Sequence, residues 1–334
     1  MMSNKSPYIY FKYYIALLML ISMSVVSGFR YYSGDDYISY MNIHNYIINN
    51  QYNYIFEPFF YFLNKISNSF SISSFLITLI TNICIFYAIL KVSNNSILGL
   101  FLYVLSEFYL SQFNIIRQSL GNSLLILSFV LFYYKNNTSS IIAFILSVFS
   151  HYAMLITAPI LFLINKIKLK FYLFCLIIII VYIFSQIGLF DFVYKIIGVL
   201  SFDKFSAYSE IDYSSMKTIG MKFIFNFIVF FFSVVLIKSK YKDYNNKLIE
   251  NLIKIIMFGF FLSAIGTSIP IIFRLSYVFL NFSYLYYPYI LTSNILSKSN
   301  RIIFGCVLFT YEILKLVYNL NANIYGIFPY DFKI

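Results

Sequence analysis

Charge is what this sequence has least of. Only 11% of its 334 residues are Asp, Glu, Lys or Arg, against 61% hydrophobic and a mean hydropathy of +0.80. A soluble domain dresses its surface with roughly 25% charged residues, so water is excluded as the main solvent of this chain. Cysteine is sparse as well. Cys84, Cys175 and Cys306 lie far apart inside apolar stretches, with neither a disulfide nor a metal-ligand spacing, and read as small core residues. Tryptophan is absent beside 40 Phe and 34 Tyr with abundant Ile, Asn and Lys, the codon bias of an AT-rich gene and a statement about the genome more than about function. There is no glycine-rich phosphate loop, no zinc spacing and no basic-aromatic platform. The net charge of +12 therefore does not point to nucleic acid; the lysines sit in short clusters between apolar runs, as in cytoplasmic loops.

A bilayer crossing takes about 20 mainly apolar residues. Segments 8–28, 70–90, 97–113, 118–134, 171–188, 219–237, 250–270, 276–296 and 301–319 qualify. The expected fold is all-α, a polytopic integral membrane helical bundle of about nine or ten spans forming a single membrane domain over 1–334. No small-residue cleavage site of A-x-A type follows the first span, which reads as a retained anchor. Lys5, Lys12, Lys91, Lys135, Lys238, Lys240, Lys242, Lys247, Lys298 and Arg301 all fall in the cytoplasm if segment 141–164 does not cross. That apolar segment is expected to be a re-entrant or broken helix pair meeting near Ser150-His151-Tyr152, each half reaching about 15 Å, roughly the bilayer midplane. Two larger segments, 29–69 and 189–218, then face outward with Tyr, Asp and Asn. The stretch 56–66 is too short to span and suits an amphipathic helix at the outer interface.

Among the few charges, the arginines depart from the lysine pattern. Arg30 follows the first span, Arg117 opens the fourth, and Arg274 lies between the seventh and eighth; all three fall at the outer face or inside the outer half of the membrane, where basic residues are disfavoured. The planar guanidinium grips phosphate or carboxylate through two hydrogen bonds at once; the alternative is snorkelling or a structural ion pair. Asp35, Asp36 and Tyr37 stand just beyond Arg30, and Glu57-Pro58 opens the short amphipathic stretch. A carboxylate at that depth is costly unless paired or functional. Asn114 and Gln118 flank Arg117 where two spans turn. His151, at the helix break beside Tyr152, is placed to act as a general base, or else as a hydrogen-bonded structural histidine. His44 is assigned no role. Glu107 and Glu312 interrupt apolar spans, where polar contacts between helices are the default.

In this order, Arg30-(x)4-Asp35-Asp36-Tyr37, Glu57-Pro58, Asn114-(x)2-Arg117-Gln118, Ser150-His151-Tyr152 and Arg274 resemble the pattern of the EpsG family of polysaccharide polymerases, which includes Wzy-type O-antigen polymerases. The resemblance runs over about residues 25–285. This sequence departs from the pattern at Phe59, where Gly is usual after Glu-Pro, at Gly121, where Ala is common, and at Ala153, which follows His-Tyr directly. None of these removes an ionisable group.

The resemblance implies an enzyme that joins oligosaccharide repeat units carried on undecaprenyl diphosphate, at the outer face of the bacterial cytoplasmic membrane. The lipid diphosphate is the leaving group. Arg117 and Arg274 would hold it, with Arg30 supporting it or the acceptor. Asp36, Glu57 or His151 would deprotonate the acceptor hydroxyl, with Asp35, Tyr37, Asn114, Gln118 and Tyr152 in support. No cofactor, metal or nucleotide sugar is implied. The partners implied are the lipid-linked glycan, membrane lipid and a chain-length regulator protein. A glycan ligase using the same arginines is an alternative, as is a flippase of lipid-linked oligosaccharide, although paired repeats with charges in both halves of the bilayer are not found here.

Overall fold

The computed structural model describes residues 7–51, 56–166, 170–190, 217–240 and 246–332. The chain opens with α1 (Pro7–Gly28), β1 (Arg30–Tyr31), α2 (Tyr37–Ile48) and α3 (Pro58–Lys65). It continues through α4 (Phe70–Val92), α5 (Ser96–Val104), α6 (Glu107–Ser111), α7 (Ile116–Tyr133), α8 (Asn137–Ser150) and α9 (Met154–Leu163). Then follow α10 (Phe171–Gln186), α11 (Lys217–Lys240), α12 (Lys247–Gly266), α13 (Pro270–Leu280), α14 (Ser283–Thr292), α15 (Lys298–Asn321) and β2 (Asp331–Phe332). Helix dominates because a lipid solvent offers the backbone no hydrogen bonds, so each segment satisfies its own. Among the described residues, five helices are long and apolar enough to cross a membrane: Phe70–Val92, Ile116–Tyr133, Gly220–Lys238, Lys247–Gly266 and Lys298–Asn321. The chain is an all-α polytopic membrane protein.

It folds as two compact units, the first comprising Met1–Pro159, Tyr287–Asn294 and Arg301–Ile334. Polar residues at the turns start its helices. Ser69, Asn95, Ser106 and Asn136 each accept a backbone N–H of the following first turn at 3.3–3.4 Å, satisfying a donor that would otherwise be orphaned. Ser106 also accounts for a departure from expectation. Segment 97–113 is not one helix but α5 and α6, because the Ser106 cap starts a new helix. The break wraps the chain around one buried amide: Asn82 of α4 accepts from Tyr103 at 3.0 Å and Gln112 at 3.1 Å, and donates to Ser24 of α1 at 2.9 Å.

The segment 29–69, expected to face outward, is more than loop, since it holds β1, α2 and α3; β1 pairs antiparallel with β2, Arg30 opposite Phe332. On α15, Ile302, Ile303 and Leu314 are exposed, while Phe304, Leu308, Glu312, Lys315 and Asn319 are buried. Glu312 pairs with Lys315 at 2.8 Å, and Asn319 donates to Glu107 at 3.2 Å. Both acids therefore face inward as contacts between or along helices.

α7 and α8 form the antiparallel hairpin that matters for the site. Lys135, at a left-handed φ of +61°, turns the chain between them. Ser128 donates to the Ser140 carbonyl at 2.8 Å, and Ser147 donates to the Gly121 carbonyl at 2.6 Å. That register, continued one more turn, brings His151 level with Arg117. α8 ends there: His151 is extended (φ −160°, ψ 113°) and α9 begins at Met154. The broken helix expected near Ser150-His151-Tyr152 is present. Its first half is longer than the expected reach, however. It begins at Asn137, and at 1.5 Å per residue its 14 residues extend about 21 Å, so His151 stands at the Arg117 end of α7 and not halfway along it.

The second unit comprises Ile160–Tyr286 and Ile295–Asn300. Phe223, Phe227 and Phe230 of α11 pack on Phe260 of α12 with ring centroids 5.3–6.0 Å apart. Ser185 of α10 bonds Thr267 and Ser268 at 2.6 and 2.7 Å. Segment 276–296, expected as one span, breaks at Asn281-Phe282 into α13 and α14. Of the expected outer segment 189–218, residues 191–216 lie outside the described residues.

Candidate functional site

Glu57 is the centre of the site. Pro58 occupies the first helical position of α3, where its missing N–H costs nothing, and a residue before proline is held extended; Glu57 has φ −58° and ψ 130°. Its carboxylate does not cap α3. It is free to turn toward the α7–α8 hairpin, where Oε2 meets Arg117 Nη1 at 3.1 Å and Oε1 meets His151 Nδ1 at 3.3 Å. The Glu57 side chain is 8% exposed, against 30% for Arg117 and 26% for His151. The acid is thus enclosed, and the two groups it holds are half-open. Burial opposes ionisation of Glu57, but the hydrogen bond with His151 and the charge of Arg117 outweigh it and hold the carboxyl below its usual range.

Gly121 permits this closeness. A Cβ added there would stand 3.1 Å from His151 Cβ and 3.2 Å from the Ser147 carbonyl oxygen. Beneath Arg117 lie two aromatic rings: its guanidinium carbon is 6.0 Å from the Tyr40 centroid and 5.6 Å from that of Phe60, within cation–π range. Neither ring was singled out by sequence, though Tyr40 follows Tyr37 by three residues and so shares its helix face.

Asp35 and Asn114 pair reciprocally, the Asp35 N–H donating to Oδ1 at 2.9 Å and Nδ2 donating to Asp35 Oδ2 at 3.0 Å. Gly34 makes the tight turn before them at φ +104°, with the Phe113 carbonyl where a Cβ would stand. Asp36 precedes α2 without capping it, and its charge acts on Tyr40. Gln118 is half-buried on α7, and Tyr152 is exposed beside His151.

Arg30 is a separate case. It is fully buried, with Nε donating to the Ser33 carbonyl at 3.0 Å, Nη1 to Ser74 at 3.1 Å and also to the Ser27 carbonyl. Tyr37 and Phe113 face its guanidinium at 5.9 and 5.4 Å. Burial lowers it to about 10, so it keeps its charge at neutral pH and ties the end of α1 to the loop carrying Asp35 and Asp36. Arg274 is exposed on α13 of the second unit.

The chemistry follows from hydrogen-bond inventory. An ionised carboxylate only accepts, so His151 Nδ1 must donate to Glu57, and in the neutral imidazole Nε2 is left as a proton acceptor. A half-open cation, a half-open base and a buried acid orienting both are thereby assembled from residues 60 and 94 apart in sequence. Among the described residues no three His, Cys, Asp or Glu side chains converge as metal ligands.

Comparison with curated proteins and with solved structures returns no match. The profile of the EpsG family matches residues 13–332, a range that takes in both strands, the α7–α8 hairpin and every residue of the site. The chain belongs to the EpsG family, a family of Wzy-like polysaccharide polymerases.

Proposed function

We propose that this polymerase joins oligosaccharide repeat units carried on a polyprenyl diphosphate, undecaprenyl diphosphate in a bacterial cytoplasmic membrane, with the Glu57–Arg117–His151 cluster at the outer face. The observation that carries this reading is the shared carboxylate: one buried acid holds a base and an anion-binding cation side by side. In the reaction, His151 Nε2 takes the proton of the acceptor hydroxyl as its oxygen bonds the anomeric carbon of the donor sugar. The bond from that carbon to the diphosphate oxygen breaks, and the diphosphate leaves with the electron pair. Arg117, half open to the site, meets the charge that builds there; such electrostatic stabilisation is worth most where water is excluded.

Glu57 fixes the tautomer and orientation of His151, as the acid does in other carboxylate–histidine pairs. Asp36, beside Tyr40, is the second candidate base. Arg274 is a second diphosphate ligand on sequence grounds, and Arg30 supports by holding the Asp35–Asp36 loop. A chain-length regulator is the partner this activity calls for. The test is polymerisation of defined lipid-linked repeats by the purified chain, followed as a ladder on a gel. Arg117→Ala and Arg274→Ala each shorten or abolish the ladder at equal protein; if both leave it unchanged, the diphosphate assignment is lost.

A further inference from the structure

A concavity in the first unit has a chemistry unlike that of the Glu57 cluster. It is a groove of about 440 Å³ between α2 and the first turn of α4, within the ~300–1,000 Å³ range of small-ligand sites. Its lining includes a stripe along α2 with Tyr37, His44 and Asn45, together with Asn68 and Phe70 at the start of α4 and Tyr31 of β1. Among the described residues, no Asp, Glu, Lys or Arg lines it. Aromatic rings meet edge to face along the walls, Tyr31–Tyr37 at 6.3 Å and Tyr37–Phe70 at 5.1 Å. Asn45 and Asn68 are exposed, each offering an amide that donates and accepts.

His44 backs the groove. It is 2% exposed, with Nδ1 3.2 Å from Asn64 Oδ1, and its Nε2 is buried without a hydrogen-bond partner among the described residues. An amide oxygen only accepts, so Nδ1 is the donor and Nε2 is an acceptor facing no donor among the described residues. A buried polar atom left unsatisfied calls for an explanation, and a ligand hydroxyl supplies one.

We infer that this groove is a glycan-binding subsite, holding the sugar rings of a repeat unit while the neighbouring cluster acts on its end. Rings whose C–H faces are apolar lie against aromatic walls, and hydroxyls that both donate and accept pair with amides. A diphosphate would find no cation here, and a polyprenyl tail would leave the amides and His44 unsatisfied. α2 links the two sites: Tyr40 on its length underlies Arg117, while Tyr37, His44 and Asn45 face the groove. The inference rests on the polymerase reading for the kind of glycan, and on the groove alone for sugar binding.

The probe is lipid-free oligosaccharide cut from the surface polysaccharide of the producing strain. It is titrated against the full chain in lipid nanodiscs and followed by saturation-transfer NMR. Asn45→Ala/Asn68→Ala weakens binding about tenfold, equivalent to ~1.4 kcal/mol, and raises KM for lipid-linked repeat with kcat unchanged. Tyr31→Ala, on a different element, produces the same loss and covers the case in which the double variant fails to fold. Wild-type affinity in a folded double variant or in folded Tyr31→Ala overturns the inference, as does failure of the wild-type chain to bind the probe. Glu57→Gln separates the two readings. Oligosaccharide binding by wild type and by this variant, with no chain lengthening by wild type on lipid-linked repeats, sinks the polymerase reading and leaves the groove standing.

Discussion

Glu57→Gln is the sharpest perturbation the site allows, because it removes a charge while keeping volume and one acceptor. Glu57 is 8% exposed and holds Arg117 at 3.1 Å and His151 at 3.3 Å. Breaking a fully buried pair costs about 3–5 kcal/mol. Here the partners are 30% and 26% exposed, so water takes up part of the orphaned charge and the glutamine oxygen still accepts one hydrogen bond. The stability loss is therefore expected near 1–2 kcal/mol. The catalytic loss is larger. A mispositioned general base forfeits about 10²–10⁴ in rate, read as kcat for polymerisation at saturating lipid-linked repeat.

His151→Gln is expected to lose a similar factor, and the double variant little more, since groups acting as one unit are not additive. Glu57→Gln polymerising within twofold of wild type, or two losses that simply multiply, refutes the shared-carboxylate mechanism. Stability against pH supplies an independent check. The folded-state carboxyl lies below its usual 4.5, so its contribution is present above that value and lost as pH falls through the lower, folded one. The stability gap between wild type and Glu57→Gln closes on acidification below about 4.5.

Two further outcomes test the scaffold. Gly121→Val pushes side-chain atoms into His151 and the Ser147 carbonyl, an overpacking of roughly 1–3 kcal/mol; polymer yield falls further than melting temperature, because the shift separates His151 from Glu57. In α15, Lys315→Met alone strands Glu312, both side chains being 5% exposed, and costs about 3–5 kcal/mol. Adding Glu312→Gln restores much of that loss in thermal melts in nanodiscs.

The helices that the sequence outlined best are those whose cause is local. Segments 70–90, 118–134 and 171–188 emerge as Phe70–Val92, Ile116–Tyr133 and Phe171–Gln186, since a long apolar run in lipid has little choice but to close its own hydrogen bonds. The break at His151 was legible too, from a polar triplet inside an apolar run. The break at Ser106 was not. Serine is tolerated in membrane helices, so nothing along the chain marks Ser106 as a cap, and the Asn82 amide on which Tyr103 and Gln112 meet lies 21 and 30 residues away. The break at Asn281-Phe282 was not legible either.

The site divides along the same line. Arg117, Glu57 and His151 each stood out alone, as charged or titratable groups where lipid makes them costly. Their assembly did not, because a pattern along the chain reaches only a few residues, and these are separated by 60 and 94. The α7–α8 register, spaced by Gly121 and pinned by Ser128–Ser140 and Ser147–Gly121, decided that His151 rises to Arg117. The packing of α3 on that hairpin decided that Glu57 serves both. The tyrosines and asparagines of 29–69 were legible as a class, but not which of them line the groove of α2 or that Tyr40 and Phe60 lie against Arg117, since an aromatic or an asparagine acquires meaning only from what faces it. By itself the sequence determined the solvent, the helices and the candidate charges. Which charges touch, and what surrounds them, was decided by side-chain contacts between segments distant in the chain.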